Sequence, residues 1–156
     1  MRIHEPAKFE RKVFIMSIAV IYWSGTGNTE AMAQAVEEGA KSAGAETILL
    51  PSAAFDASMV SQYDAIAFGC PAMGAEVLEE SEFEPMFTAC LPELSGKTIA
   101  LFGSYGWGDG EWMRQWEDTC TNAGAKLACD SVICCGYPDE DAVDSCKKLG
   151  AALAHE

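Results

Sequence analysis

SIAVIYWSGTGNT, residues 17–29, decides the fold. It opens on an apolar run containing β-branched Ile18, Val20 and Ile21 with no polar alternation, the composition of a strand buried on both faces. The run then gives way to small and hydroxyl-bearing residues, after which residues 29–43 place apolar side chains at helical spacing. Strand, tight polar loop and helix make the first half of a β-α-β unit, and the alternation continues along the chain. Residues 47–50, 65–68, 98–102 and 127–133 read as further strands; residues 55–61 (weakly), 83–91, 111–123 and 141–154 read as helices. Gly44 and Gly124 stand just past two of the helices, where a left-handed terminating residue is wanted. Strands that alternate with helices pair in parallel, and right-handed crossovers put helices on both faces of the sheet. The fold class is therefore α/β, a doubly wound five-stranded parallel sheet.

The chain has 156 residues, enough for one domain with a full core and too few for two. Residues 1–15 (MRIHEPAKFERKVFI) lack a periodic pattern until Val13, and they are expected to form a disordered extension ahead of a single domain spanning 16–156. The formal net charge is -14, and four of the 10 bases, Arg2, Lys8, Arg11 and Lys12, lie in the extension. So acidic a domain repels nucleic acid and anionic membranes and favours partners with basic patches. Arg11-Lys12 and the apolar run behind it imitate a secretory signal, but no small-residue cleavage pattern follows. The run is also far shorter than the ~20 residues of a membrane span. A cytoplasmic protein with neither membrane nor nucleic acid as a partner is expected. The cysteines at 70, 90, 120, 129, 134, 135 and 146 contain no C-x-x-C and have no histidine among them, which suits neither zinc nor an iron–sulfur cluster. They read as reduced thiols, with adjacent Cys134 and Cys135 as a candidate redox pair.

In a doubly wound sheet, ligands sit beyond the carboxyl ends of the strands, where strand order reverses. The loops after the first, third and fourth strands read Trp23-Ser-Gly-Thr-Gly-Asn-Thr29, Gly69-Cys-Pro-Ala-Met-Gly-Ala-Glu76 and Gly103-Ser-Tyr-Gly-Trp-Gly-Asp109. In the first, Gly25 and Gly27 let the backbone curl with its N–H groups inward, and the helix start supplies partial positive charge. Ser24, Thr26, Asn28 and Thr29 add donors, which makes a phosphate nest. A polar capped turn without a ligand uses the same residue types. The loop has no lysine or arginine, unlike G-x-x-x-x-G-K-[ST], and Glu30 stands where G-x-G-x-x-G needs its third glycine. A single terminal phosphate without magnesium fits better than a triphosphate or a dinucleotide. The other two loops each carry one large group able to cover a planar ring, Met73 and Trp107.

Two chemistries of similar folds drop out. A phosphoacceptor receiver domain needs acids at the ends of its first and third strands, where this chain has Trp23 and Gly69. Hydrolysis lacks a general base: His4 and His155 lie at the termini, and Ser104 after Phe102-Gly103 does not complete G-x-S-x-G.

The segments Tyr22-Trp-Ser-Gly-Thr-Gly-Asn-Thr-Glu30, Gly69-Cys-Pro-Ala-Met-Gly74 and Leu101-Phe-Gly-Ser-Tyr-Gly-Trp-Gly-Asp-Gly-Glu-Trp112 closely resemble the short-chain flavodoxins of anaerobic bacteria. The likeness runs in the right order from residue 16 to the last helix. It implies strand order 2-1-3-4-5 and noncovalently bound FMN. The FMN phosphate would be held by Ser24, Thr26, Asn28 and Thr29, in a loop shaped by Gly25 and Gly27. Within Pro71-Ala72-Met73-Gly74, Met73 would cover the inner flavin face; Trp107 would cover the outer face and Glu76 would approach ring N3. The backbone of Gly106 and Trp107 would meet N1 and O2, and Ser104, Tyr105, Gly108 and Asp109 complete the third loop's contribution. The function implied is that of a monomeric low-potential one-electron carrier, which stabilises the neutral semiquinone and shuttles electrons between redox proteins bearing basic docking patches. One-electron reduction turns flavin N5 from acceptor to donor, and a flip of the Gly74–Ala75 peptide that follows it needs positive φ at Gly74.

Some positions depart from the pattern. Pro71 stands where some relatives carry a phosphate-site serine and offers neither hydroxyl nor N–H. Ala75 replaces an acid, and the Gly136-Tyr137 loop is unusual. A fifth strand running straight through 127–133 leaves no room for the insertion of the long-chain branch. Glutamates 76, 79, 80, 82 and 84 read first as a solvated face, and functionally as a docking surface beside the flavin edge. Two competing readings are an NAD(P)H-dependent flavin or quinone reductase on the same fold and a binding module that has lost its cofactor.

Overall fold

The computed structural model describes residues 14–155. In chain order the elements are β1 (Ser17–Tyr22), α1 (Asn28–Ser42), β2 (Glu46–Pro51), β3 (Ala65–Gly69), α2 (Phe83–Cys90), β4 (Thr98–Tyr105), α3 (Glu111–Asn122), β5 (Lys126–Leu127), β6 (Val132–Cys135) and α4 (Glu140–Ala154). All pair in parallel, in the order β2-β1-β3-β4 with β5 and β6 sharing the position beside β4. Alternate residues of β1 serve two cores. Ile18 and Val20 join Met32 and Val36 of α1 and Leu149 and Leu153 of α4. Ala19 and Ile21 join Phe83 and Phe87 of α2 and Trp112 and Trp116 of α3. Burial on both faces explains the uninterrupted apolar run of this strand.

The segment expected to be one strand over 127–133 is two. Leu127 pairs with Ile99 and Val132 with Phe102, so residues 128–131 oppose only Ala100 and Leu101. Four residues cannot fit where the ladder offers two, and the chain loops out over residues 128–131, which bend at Cys129 and include polar Asp130 and Ser131. The weak helix expected at 55–61 is likewise a pair of 3₁₀ turns, Ser52–Ala54 and Ala57–Gln62. Asp56 accepts from Ser58 N–H at 2.9 Å to start the second turn, and a segment this short does not sustain an α-helix. Gly44 and Gly124 do stand past helix ends, with φ of 98° and 90°. Of the extension expected over 1–15, residues 1–13 lie outside the described residues; Phe14 and Ile15 are exposed and in no regular element. Among the described residues no helix is long and apolar enough to cross a membrane.

Candidate functional site

Past their carboxyl ends the central strands stay zipped together. Trp23 N–H donates to Gly69 O at 3.0 Å, Cys70 N–H to Phe102 O at 3.1 Å and Ala72 N–H to Ser104 O at 3.0 Å. This continued ladder draws the three loops singled out by sequence around one open cleft of about 250 Å³. Gly25, Thr26 and Asn28 line it from the first loop, Pro71, Ala72 and Met73 from the second, and Ser104, Tyr105 and Gly106 from the third. Trp23 and Gly136 line it as well, two residues beyond those expected from the sequence to form the site. The signal for Trp23 was its place at the head of the first loop. A Cβ at Gly25 would lie 3.0 Å from the Trp23 ring, so the glycine is what lets the indole lie against the loop.

Other expected residues shape the cleft from behind or stand away from it. Ser24 Oγ accepts from Gly27 N–H at 3.1 Å, and Gly27 opens α1 with φ of 95°. Thr29 is buried with its hydroxyl 3.0 Å from that of Ser104, tying the first loop to β4. Met73 and Val77 exchange backbone bonds of 2.9 and 3.1 Å, closing a turn over Gly74, Ala75 and Glu76. Gly74 has φ of 42°, the region a side chain resists, while a Cβ there would meet nothing within 4 Å. Glu76 lies against Gly108 and accepts from Trp112 N–H at 3.4 Å, which links the second loop to the start of α3. Trp107, 66% exposed, and Gly108 and Asp109 lie outside the cleft lining; Asp109 pairs with Arg114 at 3.2 Å.

A sequence model described as Flavodoxin matches residues 20–150. The flavodoxin of Megasphaera elsdenii is 44% identical over 137 residues, 88% of this chain and 98% of its relative. That of Clostridium beijerinckii is 41% identical over 136 residues, 87% and 98% of the two chains. The chain belongs to the flavodoxin family. The solution structure of two-electron reduced Megasphaera elsdenii flavodoxin matches with a TM-score of 0.83 at 45% identity, covering 89% of this chain and 99% of the other. A flavodoxin from the domain Archaea matches at 0.79 with 25% identity, over 90% and 97%. Flavodoxins are FMN-binding electron carriers, so the cofactor is FMN and the chain is an electron-transfer protein rather than a reductase.

The cleft suits that cofactor on its own chemistry. One end offers Thr26, Asn28 and the amino end of α1, polar groups without a cation; the other offers Met73, Ala72 and Tyr105. At Gly106 and Gly136 a Cβ would meet nothing within 4 Å, leaving room for a planar ring against the backbone.

One member of the glutamate run differs from the solvated face expected of it. Glu79 is 6% exposed and turned inward. It accepts from the N–H groups of Ser81 at 2.9 Å, Glu82 at 2.8 Å and Phe83 at 2.8 Å, and from the Ser81 hydroxyl. These donors include the unpaired N–H groups at the start of α2. Burial would raise the carboxyl's pKa, but the hydrogen bonds together outweigh it and hold the group at about 2, below the ordinary 4.5. A pKa lowered by folding gives stability that is full above pH 4.5 and is lost as pH falls toward 2. Glu79→Gln is therefore expected to cost about 2 kcal/mol at pH 7, a difference that shrinks on acidification through that window. Urea denaturation of both proteins at pH 7 and near pH 3 checks it; an equal gap at both would remove the carboxylate from the explanation.

Cys134 and Cys135 are not a pair. Adjacent residues of β6 face opposite sides: Cys134 Sγ lies 3.6 Å from Met32 Sδ, and exposed Cys135 Sγ lies 4.0 Å from Gly106 O. No disulfide forms among the cysteines. Burial pushes the thiols of Cys70, Cys120 and Cys146 up to about 12 and that of Cys90 to about 11, which keeps them unreactive.

Proposed function

We propose that this chain is a low-potential one-electron carrier whose FMN lies in the cleft with its phosphate at Thr26, Asn28 and the amino end of α1. The observation that carries this is the meeting, in one cleft, of a cation-free polar nest with an apolar platform at Met73. Bound there, FMN supplies one-electron chemistry that no side chain of the protein offers. Ser24 and Thr29 act by holding the loop in shape, through Gly27 and Ser104. Met73 would cover one flavin face and Trp107 would close the other from the rim, with Glu76 and the backbone of Gly106 toward its pyrimidine side. Positive φ at Gly74 would let the Gly74–Ala75 peptide turn either its carbonyl or its N–H toward a bound cofactor. The acidic chain, at -14, disfavours added negative charge on the flavin and so lowers its potential. The same charge suits redox partners with basic patches and a monomeric, cytoplasmic protein.

Thr26→Val and Asn28→Ala are each expected to weaken FMN by about 1.5–3 kcal/mol, the worth of a hydrogen bond to a charged group. Riboflavin, which lacks the phosphate, should be nearly unaffected. Fluorescence titration of the apoprotein with both ligands decides the matter. Equal losses for the two would put the phosphate elsewhere.

A further inference from the structure

The two faces of the sheet are closed by helix pairs of different kinds. α1 and α4 come so close that a Cβ at Gly39 would lie 2.0 Å from Lys147 O. α2 and α3 contain no glycine, and they meet through large rings: Trp116 packs edge-on against Phe83 and Phe87, with centroids 5.5 and 5.6 Å apart. Large side chains hold two helices apart. α2 also stops after eight residues where α3 runs for twelve. Between them lies a groove of about 190 Å³, with Phe87, Leu91, Trp112 and Trp116 in its apolar wall. It shares no lining residue with the cofactor cleft.

We propose that this groove is a second binding site, for a small uncharged aromatic molecule bearing a carbonyl oxygen. The decisive atom is Nε1 of Trp116. The side chain is 3% exposed, and Nε1 has no hydrogen-bond partner among the described residues. An indole N–H can only donate, and a buried donor left unmet is costly. Trp112 beside it shows the satisfied arrangement, its Nε1 donating to Cys70 O at 3.2 Å. An oxygen carried in by a ligand gives Trp116 the acceptor that the chain does not. The wall selects the rest of the molecule, since indole and phenyl rings favour an aromatic body. Glu76 and Glu84 are the charged residues of the lining and no base accompanies them, so carboxylates and phosphates are repelled, a second FMN included. A cavity of ~150 Å³ admits benzene, so about 190 Å³ admits one ring with a short substituent.

The test uses the FMN-loaded protein, ¹⁵N-labelled, titrated with acetophenone and in parallel with toluene, which lacks the oxygen, and benzoate, which carries a charge. Flavin absorbance is recorded before each titration, so a failure to hold FMN is seen separately from a failure of the groove. Acetophenone should bind saturably at about 1 mM. Shifts are expected at residues 84–91 and 112–119, with a downfield move of the Trp116 Nε1–H signal that toluene does not produce. Trp116→Phe keeps a ring in the wall and deletes the donor. It should weaken acetophenone about threefold to tenfold and toluene less than about twofold. Benzoate should bind at least about tenfold more weakly than acetophenone at pH 7, a gap that Glu84→Gln, at an exposed position, should narrow. If Trp116→Phe does not fold, the response of Nε1–H in the parent protein to acetophenone against toluene decides alone. Shifts confined to residues 25–28 and 104–106, an equal Nε1–H response to both probes, acetophenone affinity indifferent to Trp116→Phe, benzoate bound as tightly as acetophenone, or no saturable binding would each overturn the proposal.

Discussion

Gly103→Ala is expected to remove tight FMN binding while the chain still folds with reduced stability. A Cβ at position 103 would stand 2.1 Å from the carbonyl oxygen of Cys70 and 3.3 Å from the Trp112 ring. That carbonyl accepts from Trp112 Nε1 at 3.2 Å, and the N–H of the same residue belongs to the ladder that zips the second loop to the third. Neither backbone can yield without parting the loops: Cys70 N–H is held by Phe102 O and Ala72 N–H by Ser104 O. Relief of the clash must push Met73 away from Tyr105 across the cleft. We expect FMN affinity to fall by at least about a hundredfold, equivalent to about 2.8 kcal/mol. Overpacking against rigid backbone should take a further ~3 kcal/mol from stability. Fluorescence titration with FMN, beside a denaturation curve of the apoprotein, separates the two effects. Affinity within a few-fold of the parent would mean that the two loops are positioned independently.

Gly150→Ala should have the largest effect on folding. α1 and α4 touch backbone to backbone: a Cβ at Gly39 would lie 2.0 Å from Lys147 O, and one at Gly150 would lie 2.1 Å from Val36 O and 2.8 Å from Ala40 N. Each glycine is the space into which the other helix fits. Adding a methyl at 150 forces the helices apart along the side of the core that contains Met32, Val36, Leu149 and Leu153. The cost should reach ~4 kcal/mol, a large part of the 5–15 kcal/mol that a domain of this kind usually has. In urea the midpoint should drop sharply with the slope unchanged. Because both glycines serve one crossing, Gly39→Ala with Gly150→Ala should cost less than the sum of the two single changes. A midpoint that does not move would show that the helices can slide.

These two glycines also mark what the sequence could not disclose. β1 and α1 were legible because burial on two faces and helical spacing are local patterns, and Gly44 and Gly124 because a helix end needs a left-handed residue there. The loops at 23–29, 69–76 and 103–109 were legible because a parallel sheet brings strand ends together. A helix crossing is a meeting of distant segments, and nothing around Gly39 or Gly150 announces it. The bulge at 128–131 depends on how far β4 runs, to Tyr105 rather than to 102, which is decided by its partners. Glu79 has the same composition around it as Glu80. Its burial follows from its distance along the chain to the first turn of α2, where three N–H groups needed an acceptor. Trp23 was quoted as part of a motif, but its role as cleft lining depends on an indole folding back on Gly25.

The most direct test of the account is an anaerobic reductive titration of the purified protein, followed by absorption spectroscopy, with NADH or NADPH then offered in the absence of any reductase. The account predicts one FMN per chain, released intact on denaturation, reduced in two separate one-electron steps at low potential and inert toward both nicotinamides. A chain that holds no flavin, or one that oxidises NADPH directly with turnover, would contradict it.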